Sequence, residues 1–98
     1  GIHHARADAG AAFCTFNGLA MAARQAADDG ARVLILDVDA HCGGGTYSIV
    51  RTWKDVDHVD IATSDFDAYT PDAGTRSTLD IVTQPAQYLT AIRRRLDA

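Results

Sequence analysis

Apolar and polar positions recur along this chain in two rhythms, and each stretch predicts an element. Leu19, Ala22, Ala23, Ala26 and Ala27 follow the spacing of one helix face, with Arg24, Gln25, Asp28 and Asp29 opposite. Asn17 suits the N-cap, because its side-chain oxygen can accept an orphan N–H of the first turn. Gly30 suits the stop, because it tolerates the left-handed conformation beyond a helix end. The pattern predicts a helix over residues 17–29. Residues 32–37 then read as a strand, with Val33, Leu34, Ile35 and Leu36 in one apolar run. Such a run predicts burial on both faces, as in a parallel sheet. A short helix over 46–51 follows, with Tyr47, Val50 and Trp53 turned inward. Residues 56–63 read as a second strand, with Val59 and Ile61 on one face and His58 and Asp60 on the other. Residues 64–77 are loop, 79–82 a short strand, and 85–96 a helix opened by Pro85, with Tyr88, Leu89, Ile92 and Leu96 as its buried stripe. The order α-β-α-β-β-α predicts the α/β class with a mainly parallel sheet and no internal domain boundary.

Composition narrows the function classes. Nine Lys plus Arg stand against thirteen Asp plus Glu, a net charge of −4, which disfavours direct nucleic-acid binding. No run of eighteen apolar residues exists to span a membrane as a helix. Two cysteines, Cys14 and Cys42, make no disulfide framework, so a cytoplasmic location is expected. The single Met is Met21, so the 98 residues are expected to be a partial domain, cut from a longer chain.

The candidate chemistry lies where the first strand ends. Asp37, Asp39 and His41 fall at alternate positions, which in extended chain puts all three on one side. In open parallel sheets, ligands bind beyond the carboxyl ends of strands. Carboxylate and imidazole are zinc donors, and a catalytic zinc site takes three protein ligands plus water. The plainer alternative is that the two aspartates only turn the chain. His3 and His4 form a second feature: adjacent loop histidines can share one pocket and move protons, or can be a solvated chain end.

Together these features resemble the zinc-dependent histone deacetylase family, which includes acetylpolyamine amidohydrolases, in the arginase–deacetylase superfamily. The resemblance is carried by Gly1-Ile2-His3-His4-Ala5, by Ala12-Phe13-Cys14-Thr15-Phe16-Asn17, by the run from Val33 to His41, and by Gly43, Gly45 and Thr46. Residues 47–98 match loosely, through Phe66, Tyr69, Pro71, Gly74 and the Tyr88-Leu89 helix. The resemblance implies part of a three-layer α/β/α domain of the arginase–deacetylase fold. It implies Asp39 and His41 as two of three Zn2+ ligands, His3 and His4 as catalytic histidines with His4 the main base and acid, and Asp37 as the residue orienting His3. It implies Phe13 as a wall of the substrate channel. A K+ ion held by the backbone of Asp37, Asp39 and His41 is a further expectation. The implied substrate is an acetylated lysine or acetylated polyamine.

Departures from the family pattern matter. Gly44 stands where the family has the Asn or Asp that partners the second histidine, so His4 is expected to be poorly oriented. Cys42 is either a soft metal ligand or a small packing group. Asp65 and Asp67 read as solvated loop residues. Gly43 stands where the two-metal arginase branch needs a further Asp, which implies one metal. The third zinc ligand and the transition-state Tyr have no match, so the 98 residues alone are expected to be inactive. Two alternatives remain at this level: a haloacid-dehalogenase-type phosphohydrolase, with Asp37 and Asp39 as its acid pair, and a non-catalytic deacetylase-like binding domain.

Overall fold

The computed structural model describes residues 2–97. Its order is α1 (Gly18–Asp28), β1 (Val33–Asp37), α2 (Gly44–Val50), β2 (Val56–Ala62), β3 (Ser77–Ile81) and α3 (Pro85–Asp97). The three strands form one parallel sheet in the order β1-β2-β3, with Asp37 opposite Asp60 and His58 opposite Ser77. This is the mixed α/β arrangement expected.

Two apolar clusters make the layers. On one face, Ala20 and Ala23 of α1 and Val50 of α2 pack on Ile35 and Val56. On the other, Ala91 of α3 packs on Val59 and Ile61, with Tyr88 and Ile92 at its margin. The β2 strand is therefore buried on both faces. The β1 strand is not: Leu34 and Leu36 are exposed, because α3 lies over β2 and β3 and does not reach them. That corrects the doubly covered reading of residues 32–37. The helix stripes shift too. In α1 the buried alanines are Ala20 and Ala23, while Ala22 faces solvent beyond the sheet edge. In α3 the small Ala91 makes the closest approach, and Leu89 and Leu96 are exposed. The third strand begins two residues earlier than expected, and α2 begins at Gly44.

Asn17 does more than cap α1. Its Oδ1 accepts the Ala20 N–H at 3.0 Å. Its Nδ2 donates to the Ala5 carbonyl at 3.1 Å and to Thr46 Oγ1 at 2.9 Å. The Thr46 N–H in turn donates to the His3 carbonyl at 3.1 Å. One buried amide thus ties the first loop to the starts of two helices. The helix stop is as expected, with Gly30 at φ +92°. Among the described residues, no helix is long and apolar enough to cross a membrane.

Asn17→Ala should cost about 2–4 kcal/mol, from a lost cap of about 1 kcal/mol and buried acceptors left without donors. Asn17→Asp keeps the cap but removes both Nδ2 donors. It should therefore destabilise about as much as Ala, whereas a residue acting only as a cap would tolerate Asp; urea unfolding of the three proteins measures this.

Candidate active site

The two loop histidines are neither solvated nor a trailing end. Both are about 7% exposed, and their ring centroids lie 4.1 Å apart. The polypeptide after β1 explains where they dock. Asp37 is the last residue of the strand, on the face that carries Ile35, and is buried. Its Oδ1 accepts the Asp39 N–H at 3.1 Å, and Asp39 Oδ1 accepts the His41 N–H at 2.9 Å. These successive side-chain turns bend the chain at once. Asp37, Asp39 and His41 therefore do not line one face of an extended strand. Asp37 points inward, and Asp39 and His41 sit half exposed on the bend.

His3 bridges the two levels. Its Nδ1 is 2.6 Å from Asp37 Oδ2, and its Nε2 is 3.6 Å from Asp39 Oδ1. Gly43 makes room for this contact, since a Cβ there would fall 2.6 Å from Asp37 Oδ2 and 3.4 Å from His3 Nδ1. Both aspartates thus turn the chain, and both also face His3.

His4 is anchored from an unexpected direction. Its Nδ1 is 2.8 Å from Asp67 Oδ2, and the other Asp67 oxygen is bound by the Arg6 guanidinium. The Asp67 side chain is only 9% exposed. Asp67 is therefore not a solvated loop residue, and His4 does not lack a partner. Asp65 is exposed, as expected. Phe66 stands edge-on to His4 at 5.2 Å and to His41 at 5.6 Å between centroids. Phe13, by contrast, is not brought to the histidines. It sits fully exposed at the tip of a turn closed by reciprocal Ala11 and Cys14 hydrogen bonds, with φ values of +49° at Ala12 and +65° at Phe13. Left-handed conformations are costly for such residues.

Two donor sets could hold a cation. Asp39 Oδ1 and His41 Nδ1 are 3.5 Å apart. Bonds of zinc length at a tetrahedral angle place two donors about 3.3–3.5 Å apart, so the pair fits one shared zinc. The His41 amide holds the Asp39 carboxyl below its usual pKa, against partial burial, and the nearby histidines add to that effect. The second set is buried: Asp37, His58 and Asp60 offer donor atoms all within 4.8 Å of one another, the one group of three among the described residues. His58 Nε2 and Asp60 Oδ1 have no hydrogen-bond partner. Burial lowers the His58 pKa to about 4. Burial also raises Asp60 to about 6, opposed by the Gly43 N–H at 2.7 Å and by the Tyr69 hydroxyl at 2.9 Å. Sequence alternation placed His58 and Asp60 on one face but gave no sign that both are fully enclosed. Cys42 is fully buried, its thiol bonded to the Ser64 carbonyl and its pKa pushed up to about 11 by burial. That is a packing group, not a thiolate ligand.

Comparison with known proteins comes to the same place. Residues 1–91 match the histone deacetylase domain family. The chain is 44% identical over 59 residues to the acetylpolyamine amidohydrolase of Burkholderia pseudomallei (strain 1710b), covering 60% of this chain and 17% of that protein. It is 51% identical over 55 residues to acetylpolyamine amidohydrolase 2 of Pseudomonas aeruginosa, covering 55% and 16%. A crystal structure of acetylpolyamine aminohydrolase from Burkholderia pseudomallei superposes with a TM-score of 0.80 at 26% identity, over 98% of this chain and 32% of that one. The matched segments thus span less than a fifth of the length of these curated relatives.

The buried His58 and Asp60 should leave opposite marks on stability. The folded state withholds a proton from His58 between pH 6.5 and about 4, so its contribution is lost as pH falls through that window. The folded state holds a proton on Asp60 between pH 3.8 and about 6, so its contribution is lost as pH rises through that window. Relative to wild type, Asp60→Asn should gain thermal stability as pH rises across this range, and His58→Gln should lose it. Difference curves flat in pH would contradict both shifts.

Proposed function

The chain belongs to the histone deacetylase domain family, and from that premise we propose that it carries part of the active site of a zinc-dependent amidohydrolase. The reaction is removal of an acetyl or similar acyl group from an amine of lysine or of a polyamine. Relatives named acetylpolyamine amidohydrolases support that substrate class. The family match along residues 1–91 displaces the phosphohydrolase alternative, which accounts for neither His3 nor His4.

One observation carries the reading. Two adjacent histidines, each fixed at Nδ1 by its own carboxylate, stand beside an Asp39–His41 pair at zinc-ligand spacing. Asp39 and His41 would hold the ion. Bound zinc polarises an amide carbonyl and brings a water toward ionisation at neutral pH. The rest falls to this chain's own groups. With Nδ1–H donated to a carboxylate, each imidazole keeps its Nε2 as the basic atom. His4 takes the water's proton at Nε2 and later returns it to the leaving amine. His3, held by Asp37, supports that transfer. Phe66 walls the site beside His4, and Phe13, exposed on its own turn away from the histidines, would line the outer channel for substrate.

A K+ ion held by the backbone of Asp37, Asp39 and His41 belongs to the same reading, supported by the buried, unpartnered Asp60 oxygen beside Asp37. Two free cysteines support a reducing, cytoplasmic setting. No third donor joins Asp39 and His41 among the described residues, so the 98 residues alone should not hydrolyse acetylated amines.

In the full-length protein, about one zinc per chain is expected by metal analysis after reconstitution. Asp39→Ala and His41→Ala should each abolish retained zinc and lower hydrolysis of an acetyl-lysine or acetylpolyamine reporter more than about 100-fold, since even loss of a residue supporting a ligand costs 10–100-fold. Zinc content and rate unchanged in both variants would end the proposal.

A further inference from the structure

Gly44 and Asp67 occupy one another's space. A Cβ on residue 44 would fall 2.5 Å from the Asp67 carbonyl oxygen and would collide with the Asp67 carboxylate. No side chain at 44 is compatible with Asp67 where it stands. Yet Asp67 is where it stands for a visible reason. One carboxylate oxygen receives His4 Nδ1 at 2.8 Å, and the other receives the Arg6 guanidinium. Arg6 also reaches the Gly44 carbonyl, at 3.4 Å. The loop is braced to hold this pose. The Cys42 N–H donates to the Phe66 carbonyl at 3.0 Å, and Tyr69 stacks on Tyr47 at 4.4 Å while donating to Asp60. Asp67 itself adopts φ +61°, a conformation that only Gly, Asn and Asp visit readily.

We propose that Asp67 is the positioning residue of His4, and that Gly44 and Asp67 act as a matched pair, with the group that orients His4 supplied from the β2–β3 connection instead of the α2 start. The proposal rests on the deacetylase reading for its kinetic consequence but not for its geometry. It reverses the expectation that a glycine at 44 leaves His4 unsupported. It also assigns Arg6 a role: by pairing with Asp67, it balances a nearly buried carboxylate that would otherwise face His4 alone. An Arg6-paired carboxylate then presents to the imidazole much what a neutral amide would.

The test is made in the full-length protein with two readouts: 15N-histidine NMR of the His4 ring, and kcat and KM for an acetylated amine. Wild type should show His4 with its proton on Nδ1 and in a hydrogen bond. Asp67→Ala should lose that signature and lower kcat about 10²- to 10³-fold with KM little changed, the range expected for a displaced proton-transfer group. Asp67→Asn, which keeps an acceptor oxygen, should retain the signature and most of kcat. Gly44→Asn alone should disturb His4, whereas Gly44→Asn with Asp67→Gly should recover the hydrogen bond and at least tenfold of the kcat lost in Asp67→Gly. An unchanged His4 signal and kcat in Asp67→Ala, or a double variant no better than Asp67→Gly, would overturn the proposal. A wild-type protein that shows the signature but does not hydrolyse acetylated amines would instead overturn the deacetylase reading and leave the pairing standing.

Discussion

A carboxylate at the end of a parallel strand, buried and facing a core, must find donors or unfold its surroundings, and that constraint organises this molecule. Asp37 meets it with one oxygen on the Asp39 amide and the other on His3. The first bond bends the chain out of the sheet, and the second draws the amino-terminal loop down onto the bend. An unpaired buried carboxylate would be far more costly than either bond is strong. The strand end and the first loop therefore fold as one unit, though 34 residues separate Asp37 from His3. Asn17 secures the same unit from the other side, through Ala5 and Thr46.

Under the proposed function, this arrangement supplies the chemistry with few additional parts. The bend that satisfies Asp37 also lifts Asp39 and His41 to the half-exposed rim, where an ion and a substrate can reach them. The histidines remain below, each oriented by a carboxylate from a different segment. Rigid support of this kind matters because proton transfer depends on sub-ångström placement of the basic atom. Asp67, which contacts His4, holds a positive φ of +61° in this region.

What the sequence disclosed, and what it did not, follows from range. The cap at Asn17, the stop at Gly30 and the strand made by the apolar run of β1 are local patterns, and each can be read directly. The alternation of Asp37, Asp39 and His41 misled, because the chain bends where the strand ends. The face of α1 was misjudged by one position because five alanines leave the stripe underdetermined, and the edge of the sheet decides which are covered. Leu89 and Leu96 follow the helical spacing of α3, yet the helix approaches β2 through Ala91, where small size permits contact. Leu34 and Leu36 read as buried because nothing local reports where α3 lies. Asp67, read as a solvated loop residue, was the largest misreading. It lies 63 residues from His4 in a polar loop, and only the vacancy at Gly44 hinted that a partner had to come from elsewhere. His58 and Asp60 were placed on the right face, but enclosure depends on layers that alternation cannot show.

Under the proposed function, the divalent ion belongs to the rim of the strand end and not to the buried carboxylates beneath it. Anomalous diffraction at the zinc edge, from crystals of the zinc-reconstituted full-length protein, decides between these places. A peak within about 2.0–2.2 Å of both an Asp39 oxygen and a His41 nitrogen is the predicted result. A peak among Asp37, His58 and Asp60 instead, or none near His41, would contradict that placement.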